Sequence, residues 1–101
     1  MQKGLIKVSV IYPSKEGANF DMDYYLNKHI PMVSGFLGDA VKGASVEKGL
    51  EGQPYMAIAC LYFESISSFE ASFGPHAEKT MADVPNYTNI EPVIQISEVV
   101  A

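Results

Sequence analysis

Phe20-Asp21-Met22-Asp23-Tyr24-Tyr25-Leu26-Asn27-Lys28-His29-Ile30-Pro31 decides how this chain is read, because it opens a helix that carries a histidine on its inward side. At helical spacing Met22, Tyr25, Leu26, His29, Val33, Phe36 and Leu37 fall on one stripe, the side a helix turns toward a protein interior. Asp21 is the expected N-cap, and Phe20 before it is placed to staple onto Tyr25. Pro31 removes a backbone N–H and crowds the Asn27 carbonyl, so the helix should kink or restart around His29. Gly38, next after Phe36 and Leu37, stands where a C-cap glycine belongs. A titratable ring on the packed stripe of a broken helix marks a candidate site.

Working outward, residues 5–12 form a strand in which Ile6, Val8, Val10 and Tyr12 alternate against Lys7 and Ser9. Pro13 ends it, and a polar loop follows over residues 14–19. The segment 41–50 carries Lys42, Gly43, Glu47, Lys48 and Gly49, which suits an exposed edge strand. After the turn at Glu51-Gly52-Gln53-Pro54 comes Tyr-Met-Ala-Ile-Ala-Cys-Leu-Tyr-Phe, residues 55–63, with no charge and no break. Both faces of that run are apolar, the pattern of a central strand covered on two sides. A second helix is expected from Ser67, at capping-box spacing from Glu70. It carries Phe69 and Phe73 inward, stops at Gly74 and restarts at Pro75. A loop over 83–89 leads to a last strand, about 90–100.

The order is β-α-β-β-α-β, an α+β ferredoxin-like arrangement: a four-stranded antiparallel sheet with two interrupted helices on one face. Two helices cover one face only, yet the third strand is apolar on both, and Leu5 and Ile11 add to the second face. At ~25 cal/mol per Å2, leaving that face wet forfeits on the order of 10 kcal/mol. A second copy of the chain is the economical cover, so a homodimer through the sheet is expected.

Composition narrows the partners. The chain has 101 residues, enough for one domain over 1–101 and too few for two. Its formal charge is −5, and its seven lysines are scattered rather than striped, which argues against nucleic acid and anionic membranes. No apolar run approaches the roughly 20 residues that cross a bilayer. The opening Met1-Gln2-Lys3-Gly4 leads directly into a strand without a signal-peptide core. Cys60 has no partner for an intrachain disulfide, so a reducing compartment, the cytoplasm, is the expectation. What remains is a small molecule or another protein.

His29 has the right chemistry for a general acid/base near neutral pH. It has an alternative structural role, bonding the carbonyl that Pro31 frees. His76, opening the restarted half of the second helix, either shares the cavity or caps the helix. Tyr12, Tyr25 and Tyr62 sit at inward or central positions, where a buried phenol needs a partner. With Met32, Phe36 and Phe73 they make an apolar wall with a few polar handles, the usual make-up of a small-ligand site. Tyr25 or Tyr62 would steady an oxyanion. Cys60 in an apolar strand is inert. Two histidines and one cysteine without shared spacing make no metal set, and no Gly-rich nucleotide loop is present.

Phe20-Asp21-x-x-Tyr24-Tyr25-x-x-x-His29-x-Pro31 resembles the opening motif of the EthD family, named for ethyl tert-butyl ether degradation. Phe73-Gly74-Pro75-His76-Ala77 and Asp83-x-Pro85-Asn86-Tyr87-Thr88 resemble its second signature. The resemblance spans essentially the whole chain and implies a dimeric α+β barrel, related to muconolactone-isomerase-like and antibiotic-monooxygenase-like proteins. It fixes no reaction. The expectation is cofactor-independent acid/base chemistry, isomerase- or lyase-like, on a small hydrophobic, aromatic or lactone-like compound in a catabolic pathway. His29 is then the acid/base. The alternatives are an accessory protein that binds a hydrophobic metabolite without turnover, or a cofactor-free monooxygenase, although the chain lacks the tryptophan invoked in such barrels. Haem ligation by His29, known among distant relatives, has no second supporting feature. The chain contains no arginine, which argues against a bidentate carboxylate clamp.

Overall fold

The computed structural model describes residues 3–101. Four strands, β1 (Ile6–Pro13), β2 (Gly43–Lys48), β3 (Tyr55–Phe63) and β4 (Val93–Glu98), form one sheet in the order β2-β3-β1-β4. Every neighbouring pair is antiparallel, and two helical segments, α1 (residues 22–37) and α2 (residues 66–83), complete the ferredoxin-like α+β fold. The charge-bearing β2 is an edge, and the uncharged β3 is central.

Register fixes which side chains meet the helices. Val10 lies opposite Ala59 and Ile94, and Tyr12 opposite Ala57, so these residues share a face. Tyr12, Ala57 and Ala59 pack with Tyr25, Val84 and Tyr87, while Val8 and Phe63 pack with Val33 and Leu37. The other face presents Ser9, Ile11, Ile58, Cys60 and Tyr62 by the same alternation.

Asp21 caps α1 as expected, its carboxylate accepting from the Tyr24 amide at 3.0 Å. The break expected near Pro31 takes the form of a π-helical turn over Tyr25–His29, between an α-turn at Met22–Tyr24 and an α-helix at Ile30–Leu37. The Ile30 amide donates to the Tyr25 carbonyl five residues back. The wider turn keeps residues four apart on one side: Tyr25, His29, Val33 and Leu37 are buried. Leu26, expected on the same stripe, is rotated out and is 45% exposed. Gly38 follows Leu37 with φ +54°, the conformation that suits a glycine C-cap.

Several boundaries differ from expectation by one to three residues, the strands running Ile6–Pro13, Gly43–Lys48 and Val93–Glu98. The second helix is capped two residues earlier than expected, by Ser65 rather than Ser67, and begins at Ile66; the Ser65 hydroxyl accepts from the Ser68 amide at 3.0 Å. Pro92 has no amide to give to the sheet, so β4 starts at Val93. β2 ends at Lys48, and the next residue is held to glycine because a side chain at Gly49 would run into the Tyr55 carbonyl. The second helix itself is interrupted as read, by a 3-10 turn over Gly74–His76 before Ala77–Asp83.

Candidate functional site

The buried histidine has a partner that lies 54 residues away in sequence. His29 Nδ1 stands 2.9 Å from Asp83 Oδ2, and His29 is only 4% exposed. Asp83 is the last residue of α2, which brings it over the π turn of α1. Its other oxygen accepts from the Tyr24 hydroxyl at 2.8 Å and from the Asn86 side-chain amide at 2.9 Å. Burial on its own would push the Asp83 carboxyl up, but the bonds from Asn86, His29 and Tyr24 outweigh it and hold the group below the usual carboxylate range. Asp83 is therefore an anion at neutral pH, and in their bond His29 Nδ1 is the donor and the carboxylate the acceptor. The Tyr24 hydroxyl is pushed up in turn, chiefly by its bond to Asp83.

The second nitrogen of His29 meets phenols. Tyr87 places its hydroxyl 3.4 Å from Nε2, and the same hydroxyl is 2.7 Å from that of Tyr12. Tyr25 stacks on the imidazole, with ring centroids 5.4 Å apart at 14°, and Tyr87 tilts against it at 4.7 Å. Burial pushes the hydroxyls of Tyr12, Tyr25 and Tyr87 up, so all three stay protonated at any physiological pH.

This cluster closes one side of a cavity of about 260 Å3 between the helices and the sheet. Val10, Ala59, Leu61 and Ile94 supply its floor, Ile30, Val33 and Leu37 the α1 wall, and Phe73, Thr80 and Met81 the α2 wall. Polar side chains come from Tyr12, Tyr25, His29, Ser34 and Thr80, and no lysine, aspartate or glutamate lines it. A neutral donor set of this kind in an apolar wall orients an uncharged ligand and has nothing to neutralise a carboxylate.

Of the residues singled out from sequence, Tyr12, Tyr25, His29 and Phe73 line the cavity together. Met32, Phe36, Tyr62 and His76 do not. Tyr62 lies opposite Lys7 in the register, one residue out of phase with Leu61, and so belongs to the face away from the helices. Phe36 and His76 stack on each other at 4.2 Å and 6°, joining α1 to α2 outside the cavity. Met32 packs against the Val33, Leu37 and Phe63 cluster. Asp83, Tyr87, Tyr24 and Asn86 are the members that sequence reasoning missed. Their signal was present in Asp83-x-Pro85-Asn86-Tyr87, which reads as a loop until its carboxylate and phenol are seen as partners for a buried imidazole. Among the described residues no cluster of three or more His, Cys, Asp or Glu side chains is placed to hold a metal ion. None of the described helices is long and apolar enough to cross a membrane.

The fold and this site define a ferredoxin-like α+β protein with a histidine–aspartate pair on an apolar cavity. A family model for the EthD domain matches residues 17–91, so the chain belongs to the EthD family. It is similar to an EthD-like protein from Ralstonia eutropha JMP134, with 43% identity, a TM-score of 0.88, and coverage of 99% of this chain and 96% of that one. An ethyl tert-butyl ether degradation (EthD) family protein from Bacillus halodurans C-125 matches at 14% identity and TM-score 0.65, over 93% and 97% of the two chains. A dimeric protein of unknown function and ferredoxin-like fold from Bacteroides fragilis NCTC 9343 matches at 8% identity and TM-score 0.62, over 97% and 99%. No curated protein matches the chain.

Proposed function

We propose that this protein carries out cofactor-independent proton transfer, of the isomerase or lyase kind, on a small uncharged aromatic or lactone-like compound held in the 260 Å3 cavity. The observation that carries the reading is the buried His29–Asp83 pair beside an otherwise apolar wall. Asp83 fixes the tautomer and stabilises the imidazolium that forms when His29 takes a proton. Tyr25, kept protonated by burial, donates to the oxygen on which negative charge develops. For scale, a cavity of about 150 Å3 holds one benzene ring, so this one suits a molecule of one to two fused rings. A role in catabolism of such compounds in the cytoplasm accords with the family and with a lone unpaired cysteine.

The chain works as a homodimer in this reading. Ile11, Ile58 and Tyr62 lie on the sheet face away from the helices, and a second copy buries them; the Bacteroides neighbour is itself a dimer. A monomeric mass by light scattering at micromolar concentration would overturn this.

The chemistry is tested with 2-tetralone, an enolisable two-ring ketone, in D2O. Proton NMR should show exchange of its α-hydrogens accelerated by the protein and slowed by about a hundredfold in His29→Gln. That variant should stay folded, losing about 1 kcal/mol for a replaced hydrogen bond. Binding of 2-tetralone with no acceleration over buffer would leave a metabolite-binding accessory protein in place of an enzyme.

A further inference from the structure

Both ring nitrogens of His29 are engaged inside the protein, Nδ1 by Asp83 at 2.9 Å and Nε2 by the Tyr87 hydroxyl at 3.4 Å. A ligand in the cavity therefore meets no free nitrogen. The direction of the bonds says what it meets instead. In the neutral imidazole that a base requires, Asp83 holds the proton on Nδ1, so Nε2 is an acceptor and the single proton of Tyr87 points to it. The Tyr87 oxygen then accepts from Tyr12 across 2.7 Å. Having given its proton inward, Tyr12 turns its lone pairs outward, toward the Tyr25 hydroxyl and the cavity that both tyrosines line. At the far end Asp83 is only partly covered, its side chain 15% exposed, and it bonds Tyr24 and the exposed Asn86 near the surface. The chain Tyr12–Tyr87–His29–Asp83 thus runs without a gap from cavity to protein surface.

Taking the site as a proton-transfer site, we propose that Tyr12 is the catalytic residue that touches the substrate, and that His29 receives the substrate's proton through Tyr87 rather than by contact. The step balances. The substrate's O–H or C–H bond breaks as Tyr12 oxygen gains that proton. Tyr12 passes its own proton to Tyr87, and Tyr87 passes its own to Nε2. The electron pair stays on the substrate as an enolate or phenolate. The charge separation is between that anion and an imidazolium paired with Asp83. No phenolate persists, which accords with burial holding all three phenols protonated. Tyr87 is a positioning residue here: it does not line the cavity, and it links two groups that are not otherwise bonded to each other.

The test uses 2-naphthol, a two-ring phenol that becomes a strong acid on excitation and whose emission separates the neutral molecule from the naphtholate. Binding to the protein is followed by methyl NMR shifts of Ile30 and Val33. Bound to wild type, it should emit as naphtholate. In Tyr87→Phe and in Tyr12→Phe, each removing one oxygen while keeping the ring, the naphtholate-to-naphthol ratio should fall at least about tenfold, with circular dichroism and binding retained. A merely structural Tyr87 would leave the ratio unmoved. If Tyr87→Phe keeps the naphtholate emission while His29→Gln loses it, His29 acts by contact; the relay is then overturned and the proton-transfer reading stands. If bound wild type emits only as neutral naphthol, no base reaches the cavity and both fall. Absence of any methyl shift at saturating 2-naphthol would overturn the cavity assignment itself.

Discussion

The two ends of the interface between helices and sheet are equally dry but differ in what tips their side chains. At one end Val8, Val33, Leu37 and Phe63 meet Phe69 and Phe73, hydrocarbon against hydrocarbon. At the other Tyr12, Tyr25 and Tyr87 pack among Ala57, Ala59, Val84 and Ile90, with His29 against them. The hydrocarbon end is stabilised by area and shape, and any well-fitting set of apolar groups would serve there. The phenol end must also satisfy every hydroxyl and ring nitrogen it hides. Among the described residues no buried side-chain nitrogen or oxygen is left without a partner. That requirement turns separate residues into one connected network, and connection is what fixes tautomer, proton position and geometry. The proton-carrying groups are thereby confined to one end of the core, while Val33, Leu37 and Phe73 of the other end wall the cavity.

The largest effect should come from Phe63→Ala. Phe63 is fully buried and lies 5.2 Å from the Phe69 ring, so truncation leaves a cavity at the hydrocarbon end. A cost of about 3–5 kcal/mol is expected, read as a fall in the denaturation midpoint. At a temperature where the variant is still folded, its rate of 2-tetralone exchange should match wild type within about threefold, because Phe63 neither lines the cavity nor bonds any group of the phenol end. Loss of exchange in the folded variant would show that the two ends are not separable.

Asp83→Asn is the opposite case, a modest loss of stability with a large loss of chemistry. The amide still occupies the space and still accepts one bond, so the variant should lose about 1 kcal/mol at neutral pH. It holds no charge against an imidazolium, and exchange should fall by about a hundredfold. The sign of the acid limb follows from the lowered carboxyl. In the unfolded chain Asp83 titrates near 3.8, and in the fold it titrates below that. Its contribution is complete above the unfolded value and is lost as pH falls through the folded one. Wild type should therefore be more stable than Asp83→Asn from neutral pH down to about 4, with the gap closing below it. Denaturant midpoints at a series of pH values check this, and a gap constant down to the acid limit would deny Asp83 its charged role.

How much of this was legible follows the same division. The hydrocarbon end and the sheet were written in local pattern: the alternation of β1, the doubly apolar β3 and the lysines of β2 place those strands without help from distant residues. Tyr12, Tyr25, His29 and Phe73 were legible as inward positions, because strand parity and the four-residue step survive the π turn. Leu26 was misplaced because that same turn widens the helix locally, and a uniform helical period has no room for an added residue. Tyr62 was misplaced because β3 is apolar on both faces, so its composition cannot say which parity faces the helices; only pairing with Lys7 does. Asp83 and Tyr87 were invisible as partners of His29 for a different reason. A bond across 54 residues has no local signature, and each residue by itself is an unremarkable loop or helix-end choice.

The smallest effect separates two serines at the start of α2, the helix that carries Phe69 and Phe73 onto the hydrocarbon end. Ser65, Ser67 and Ser68 stand within four residues, and spacing to Glu70 alone favours Ser67 as the cap. The backbone decides otherwise: Ser65 is extended, at φ −157° and ψ 165°, and its hydroxyl accepts from the Ser68 amide at 3.0 Å. An extended residue can aim its hydroxyl at the orphan amides of the first turn, whereas one already inside the helix cannot. Ser65→Ala should therefore cost about 1 kcal/mol in chemical denaturation. Ser67→Ala, inside the helix where alanine is the better helix former, should be neutral or stabilise by a few tenths. Neither should change 2-tetralone exchange, since neither side chain lines the cavity. A larger loss from Ser67→Ala than from Ser65→Ala would move the helix start back to where the capping-box spacing put it, and with it the angle at which Phe69 meets Phe63.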